Sequence, residues 1–190
     1  MLLDWKSKDY LYYKIMQFCN DNKVEANIDL EKLCEEKNWF LIPYPKEKYQ
    51  IFKSISKDGF TVKDGNNFFI NYNPELKEKC FGRYRFTLAH EIGHIYLYHH
   101  IYVDYYVLMH CDDKKTIWEQ QADIFAQNLL MPIKYKDYYK KYNNMDLQNI
   151  FGVSNEMVNT RLSKLYQDEL FSRKLITKLR NKTLVYGDKK

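Results

Sequence analysis

The sequence predicts an α+β fold in which amphipathic helices surround a small twisted sheet. Apolar residues recur at helical spacing in several segments of the chain. Two short runs rich in aromatic and β-branched residues flank Asp64-Gly65, a pair that favours a tight hairpin turn. At 190 residues the chain is long enough to bury a hydrophobic core without disulfide staples.

Two helices are predicted before the sheet. The first lies between residues 6 and 20, where apolar side chains form a single stripe. The second begins at about residue 28, where Asp29 is suited to cap its N-terminus, and should end near residues 37 and 38. The first is expected to pack on the rest of the domain, and Leu30, Leu33 and Cys34 form the inner face of the second.

Three strands follow, over residues 39–43, 59–63 and 67–72. We expect the third to be an edge strand, whose unpaired backbone groups can pair with an extended peptide. The alternative is an ordinary internal strand. The residues that would bind the peptide main chain are Phe68, Phe69, Ile70 and Asn71.

His90 and His94 lie four residues apart in an apolar run that favours a helix extending to about Tyr98 or His99. On a helix this spacing places both imidazoles on one face, so that they can converge on one metal ion. Glu91 lies beside them, and a carboxylate next to a metal can accept a proton from water. The pattern therefore predicts a Zn²⁺ site with Glu91 as general base, which is the chemistry of a metallopeptidase. The alternative is an amphipathic helix whose histidines only border its polar face.

A second helix, ended by Pro132, carries candidates for the remaining positions of this site. Glu119 and Asp123 are four residues apart and so lie on one face, while alanines on the same helix would allow close approach to the first helix. Glu119 would then complete the zinc site, and Asp123 would accept the outer N–H of a ligating histidine. Two alternatives stay open, since Glu119 also fits a capping box with Thr116 and Asp123 could belong to a solvated face.

His100 offers a different third ligand, because residues 90–100 approach the metzincin pattern His-Glu-x-x-His-x-x-Gly-x-x-His. Leu97 stands where that pattern has glycine, and glycine permits the sharp turn that returns the last histidine to the metal. Leucine favours a helix that continues past the metal. We therefore favour Glu119 over His100 and over His99, which could be cations near the helix C-terminus.

The net charge of +5 arises in the C-terminal part of the chain, where residues 134–190 contain 13 Lys and Arg against 6 Asp and Glu. We predict one domain over residues 1–133, on which a helix within residues 1–25 packs, followed by a basic helical region over residues 134–190. Residues 146–165 have a helix-turn-helix pattern that could contact DNA, although a hairpin closing the domain or docking a partner is favoured. The polar groups on the second of these helices are Asn155, Asn159, Arg161 and Lys164.

The four cysteines are scattered without a Cys-x-x-Cys pair, which disfavours a zinc ribbon and fits a reducing compartment. The start of the chain has no signal-peptide pattern. The most apolar region of the whole sequence, residues 92–109, is interrupted by three histidines and an aspartate. We therefore expect a cytoplasmic protein that has no membrane partner.

Two segments together resemble the ImmA/IrrE family of zinc metallopeptidases: residues 83–94, and the pattern Glu-x-x-Ala-Asp-x-Phe-Ala-x-x-Leu-Leu-Met-Pro that begins at Glu119. The resemblance extends over about residues 27–165. It implies a zincin-like α+β domain with His90, His94 and Glu119 as zinc ligands and Glu91 as catalytic base. It also implies an anti-repressor that cleaves, or promotes cleavage of, helix-turn-helix repressors of prophages, mobile elements or stress genes. The alternative is a non-proteolytic zinc-containing regulator that binds a repressor or DNA.

Overall fold

The structure is a computed structural model that describes residues 5–101 and 117–187. Within these ranges it contains helices and one three-stranded sheet, so the predicted α+β class is confirmed. The helices are α1 (Trp5–Asp21), α2 (Leu30–Glu36), α3 (Tyr49–Ile55), α4 (Pro74–Lys79), α5 (Phe81–Tyr96), α6 (Ile117–Leu130), α7 (Lys136–Lys141), α8 (Asn144–Phe151) and α9 (Asn155–Gly187), and the strands are β1 (Trp39–Pro43), β2 (Gly59–Asp64) and β3 (Asn67–Tyr72).

Local capping determines where two of the short helices begin. The side chain of Asp29 accepts a hydrogen bond from the backbone N–H of Lys32 at 3.0 Å, so α2 begins as predicted. Asn73 caps α4 in the same way through the backbone N–H of Glu75 at 3.0 Å. Pro74 occupies the first helical position, where its missing N–H costs nothing.

The strand order in the sheet is β1-β3-β2, with β1 parallel and β2 antiparallel to β3. The predicted hairpin is confirmed, and Gly65 adopts a φ of +55° in its turn. The expectation that β3 is an edge strand is wrong, because β3 pairs with β2 on one side and with β1 on the other. In the described sheet, the backbone of the four candidate peptide-binding residues is therefore flanked by strands on both sides: Phe68, Phe69, Ile70 and Asn71.

The core lies where α1, α5 and α6 meet. Phe18 packs edge-on against Tyr96 and against Phe125, with ring centroids 4.6 and 5.0 Å apart. A Cβ atom at Gly93 would lie 3.0 Å from the Phe125 ring, so the absence of a side chain lets α6 approach α5 closely. Ala122 and Ala126 are fully buried on α6, as the sequence predicted. The two helices that carry the candidate ligands are thereby held together.

The C-terminal segment forms the predicted helix, turn and helix, but α9 continues to Gly187 rather than ending near residue 165. Arg161 is fully buried and connects α9 to the end of α6 through hydrogen bonds. Its guanidinium donates to the Met131 carbonyl at 2.9 Å and to Asn128 Oδ1 at 3.0 Å, and it pairs with Asp168.

The division of the chain between residues 133 and 134 stays a prediction. Among the described helices, none is both long and apolar enough to cross a bilayer.

Candidate metal centre

Helix α5 presents three buried polar side chains on its inner side: His90, Glu91 and His94 are 7%, 1% and 0% exposed. The Nε2 atoms of the two histidines are 2.9 Å apart, as their spacing of about one helical turn allows. Helix α6 adds Glu119, whose carboxylate oxygens lie 3.1 Å from His90 Nε2 and 3.3 Å from His94 Nε2. The structure thus brings the three sequence-predicted ligands together.

The arrangement of these donor atoms fits a metal ion. His90, His94 and Glu119 each offer one ligand atom, and these atoms lie within 4.8 Å of one another. Donors bonded to a tetrahedral zinc ion at about 2.0–2.1 Å are roughly 3.3 Å apart, close to the separations seen here. Two imidazoles and one carboxylate, with a fourth position open, form a donor set of catalytic zinc sites.

Asp123 lies one turn after Glu119 and contacts the outer side of His90. Its Oδ1 atom is 3.0 Å from His90 Nδ1, in the arrangement predicted from the sequence. Burial lowers the pKa of His90, but hydrogen bonds to Asp123 and Glu119 outweigh this effect and raise the pKa to about 9. The surrounding carboxylates therefore favour a cation at His90, whether that cation is a proton or a metal ion.

The outer nitrogen of His94 contacts His99, a role that the sequence did not indicate. The two Nδ1 atoms are 3.0 Å apart, and His99 Nε2 lies 2.9 Å from Gln121 Oε1. Because the Gln121 oxygen only accepts, His99 carries its proton on Nε2 and accepts from His94 through Nδ1. With its proton on Nδ1, His94 has no proton on Nε2, as a metal ligand requires. Burial lowers the pKa of His99 to about 3, so its ring is neutral at neutral pH.

His99 reaches this position because α5 ends earlier than predicted. The helix stops at Tyr96, and Tyr98 adopts a left-handed backbone with a φ of +60°. The prediction that Leu97 would continue the helix is therefore wrong. Tyrosine seldom adopts this conformation, so no residue type in the sequence marked the turn.

His100 lies apart from the ligand group in the described structure. Its ring packs edge-on against Phe68 with the centroids 4.9 Å apart. The metzincin-like alternative for the third ligand therefore lacks support from the geometry. The capping-box alternative for Glu119 involves Thr116, which lies outside the described residues.

Glu91 is oriented by strand β2, a second contact that the sequence did not indicate. The Thr61 hydroxyl donates a hydrogen bond to Glu91 Oε2 at 2.7 Å. A Cβ atom at Gly59 would lie only 2.6 Å from the Thr87 side chain, so glycine allows this end of β2 to approach α5. The contact depends on tertiary packing, which is why no local pattern predicted it.

A cleft of about 430 Å³ opens in front of these side chains. Residues 53–58 line one side of it, and α5 and α6 line the other. His90, Glu91 and Glu119 all contribute to its surface. The cleft therefore reaches two of the three candidate ligands and the Glu91 side chain.

Comparison with known proteins agrees with this geometry. Residues 49–163 match the family model Peptidase_M78, described as an IrrE N-terminal-like domain. The match covers more than half of the chain and includes all of α5 and α6. No curated protein gives a significant match. On the strength of the family match, the chain belongs to the ImmA/IrrE family of metallopeptidases.

Proposed function

We propose that this protein is a zinc-dependent endopeptidase that cleaves a regulatory protein, with a helix-turn-helix repressor of a prophage or another mobile element as the expected substrate. The observation that carries the proposal is the three-donor group of His90, His94 and Glu119 with the Glu91 carboxylate beside it in an open cleft. Family membership supports peptide hydrolysis. Two imidazoles and one carboxylate support zinc as the metal.

In this proposal, His90, His94 and Glu119 hold the zinc ion. Asp123 and His99 act as positioning residues, because each fixes one histidine with Nε2 directed toward the metal. Zinc, when bound, acts as a Lewis acid that lowers the pKa of a water molecule and polarises a carbonyl group. The protein supplies the geometry that makes this chemistry selective for one bond.

Glu91 performs the proton transfers. Its carboxylate accepts a proton from the attacking water and returns that proton to the amine that leaves when the peptide bond breaks. The hydrogen bond from Thr61 restricts the rotation of the carboxylate, so that the side chain stays directed at the cleft. Burial of Glu91 excludes bulk water, which strengthens these electrostatic contacts.

The alternative of a DNA-binding regulator has less support, because the α9 side chains considered for DNA contact include several that are engaged within the protein. Arg161 is fully buried, and Asn159 accepts a hydrogen bond from Asn144 at 2.7 Å. Lys164 contacts Gln127 at 3.2 Å. A helix that reads DNA needs side chains free to reach base edges.

The substrate class can be tested in cells that express either the parent protein or the Glu91→Gln variant. Mass spectrometry of protein N-termini should find new termini in the parent only, and within a helix-turn-helix repressor. Identical termini in both cultures would refute the endopeptidase function. New parent-specific termini in a different class of protein would retain the peptidase and overturn the repressor assignment.

A further inference from the structure

A groove of about 700 Å³ adjoins the catalytic cleft. The two share the side chains of Asp58, Arg83, Phe86 and Asp123, so they form one continuous surface. The groove leads away from the metal centre, between the first residues of α5 and the first three turns of α9. A chain that leaves the catalytic cleft in this direction therefore enters the groove.

The far end of the groove combines apolar surface with an exposed acidic side chain. Phe81 is 51% exposed at the start of α5, and it faces the groove together with Met157 of α9. Glu156 is exposed beside them and makes no hydrogen bond or ion pair with the described residues. The two cations of the groove are engaged, since Arg83 pairs with Asp58 at 2.7 Å and Lys164 contacts a glutamine. This surface is complementary to an apolar side chain next to a basic one.

The distance between this end of the groove and the cleaved bond can be estimated from the length of α5. Phe81 precedes His90 by nine residues, which corresponds to about 14 Å along a helix axis. An extended peptide covers that distance with about four residues. A substrate side chain that reaches Glu156 is therefore about four residues from the bond that is cleaved.

We propose that this groove binds the substrate chain on one side of the cleaved bond, and that Glu156 selects a basic side chain there while Phe81 contacts an apolar neighbour. The inference rests on the proposed peptidase function and extends it to substrate selection. It assigns the start of α9 to recognition of the substrate protein. The continuity of the groove with the cleft identifies the occupant as the substrate itself.

Charge reversal at Glu156 tests the proposal. The zinc-loaded, full-length protein is incubated with peptides from a chymotryptic digest of a bacterial proteome, and cleavage sites are mapped by mass spectrometry. The parent should favour Lys or Arg about four residues from the cleaved bond, by about two- to fivefold, as expected for an exposed ion pair. Glu156→Gln should remove this preference, and Glu156→Lys should convert it to a preference for Asp or Glu. Glu35→Lys is the matched control, because Glu35 is an exposed glutamate of α2 that lies outside both cavities and has no ion-pair partner among the described residues.

A steric variant tests the groove independently of charge. Thr160→Arg places a long side chain in the groove, so the ratio of kcat/KM for dodecapeptides to that for hexapeptides should fall about tenfold. Ser163→Arg introduces the same side chain at an exposed position of α9 outside the groove and should leave the ratio unchanged. Unaltered preferences in both Glu156 variants, or an unaltered ratio in Thr160→Arg, would overturn the groove assignment. Failure of the parent and every variant to cleave any peptide would instead overturn the peptidase function on which it rests.

Discussion

Replacing Glu91 by glutamine should lower kcat/KM for peptide hydrolysis by about 10²–10⁴-fold, the contribution typical of a general base. The amide cannot accept the proton that the carboxylate takes from water. Glutamine has nearly the same size, and its amide oxygen can still accept the hydrogen bond from Thr61. The variant should therefore keep the fold and the metal content of the parent. Hydrolysis of a fluorogenic peptide, measured alongside metal content by mass spectrometry, checks both expectations.

Glu35→Gln provides the matched control, because it makes the same chemical change at an exposed site on α2. Its activity should equal that of the parent. A Glu91→Gln protein that retains its metal and hydrolyses peptides at the parental rate would show that another group is the base. Loss of metal from this variant would show that Glu91 serves the metal site itself rather than only the proton transfers.

Replacing Glu119 by alanine should weaken zinc binding by more than about 100-fold, beyond the range for loss of an outer hydrogen-bond partner. The substitution removes the only carboxylate within the donor group and leaves two imidazoles, too few to hold zinc in a stable protein site. Competition with a fluorescent zinc chelator measures the affinity of each protein directly. His100→Ala should bind zinc as tightly as the parent, because His100 packs against Phe68 instead. Zinc affinity lost in His100→Ala but retained in Glu119→Ala would favour the metzincin-like ligand set.

The same titration separates ligands from positioning residues. Asp123→Ala and His99→Leu should each weaken zinc binding by about 10–100-fold, because each leaves one ligating histidine without its orienting partner. His99→Gln should retain more affinity than His99→Leu, since an amide oxygen can accept the proton of His94 Nδ1. Equal losses in the two His99 variants would mean that the side chain only fills space.

Helical periodicity explains why the ligand group could be predicted from the sequence. The spacing of His90 and His94, and that of Glu119 and Asp123, places each pair on one helix face without reference to the rest of the chain. The alanines of the second helix then made a close approach plausible. The structure confirms this approach at Gly93, which contacts Phe125.

The features that could not be predicted depend on contacts between distant segments. Thr61 reaches Glu91 only because β2 packs closely on α5, and His99 reaches His94 only because Tyr98 adopts a left-handed backbone. The position of β3 depends on its parallel pairing with β1, in which Trp39 lies opposite Phe68, a residue far along the chain. Hydrophobic patterning and turn signals describe local structure and do not encode such pairings.

The most direct test of the proposed metal centre is X-ray diffraction from crystals of the zinc-loaded protein, recorded on both sides of the zinc absorption edge. One anomalous peak should lie about 2.0–2.2 Å from His90 Nε2, His94 Nε2 and a carboxylate oxygen of Glu119. A peak coordinated by His99 or His100 in place of Glu119, or no peak at this group of side chains, would contradict the assignment of the centre and the mechanism built on it.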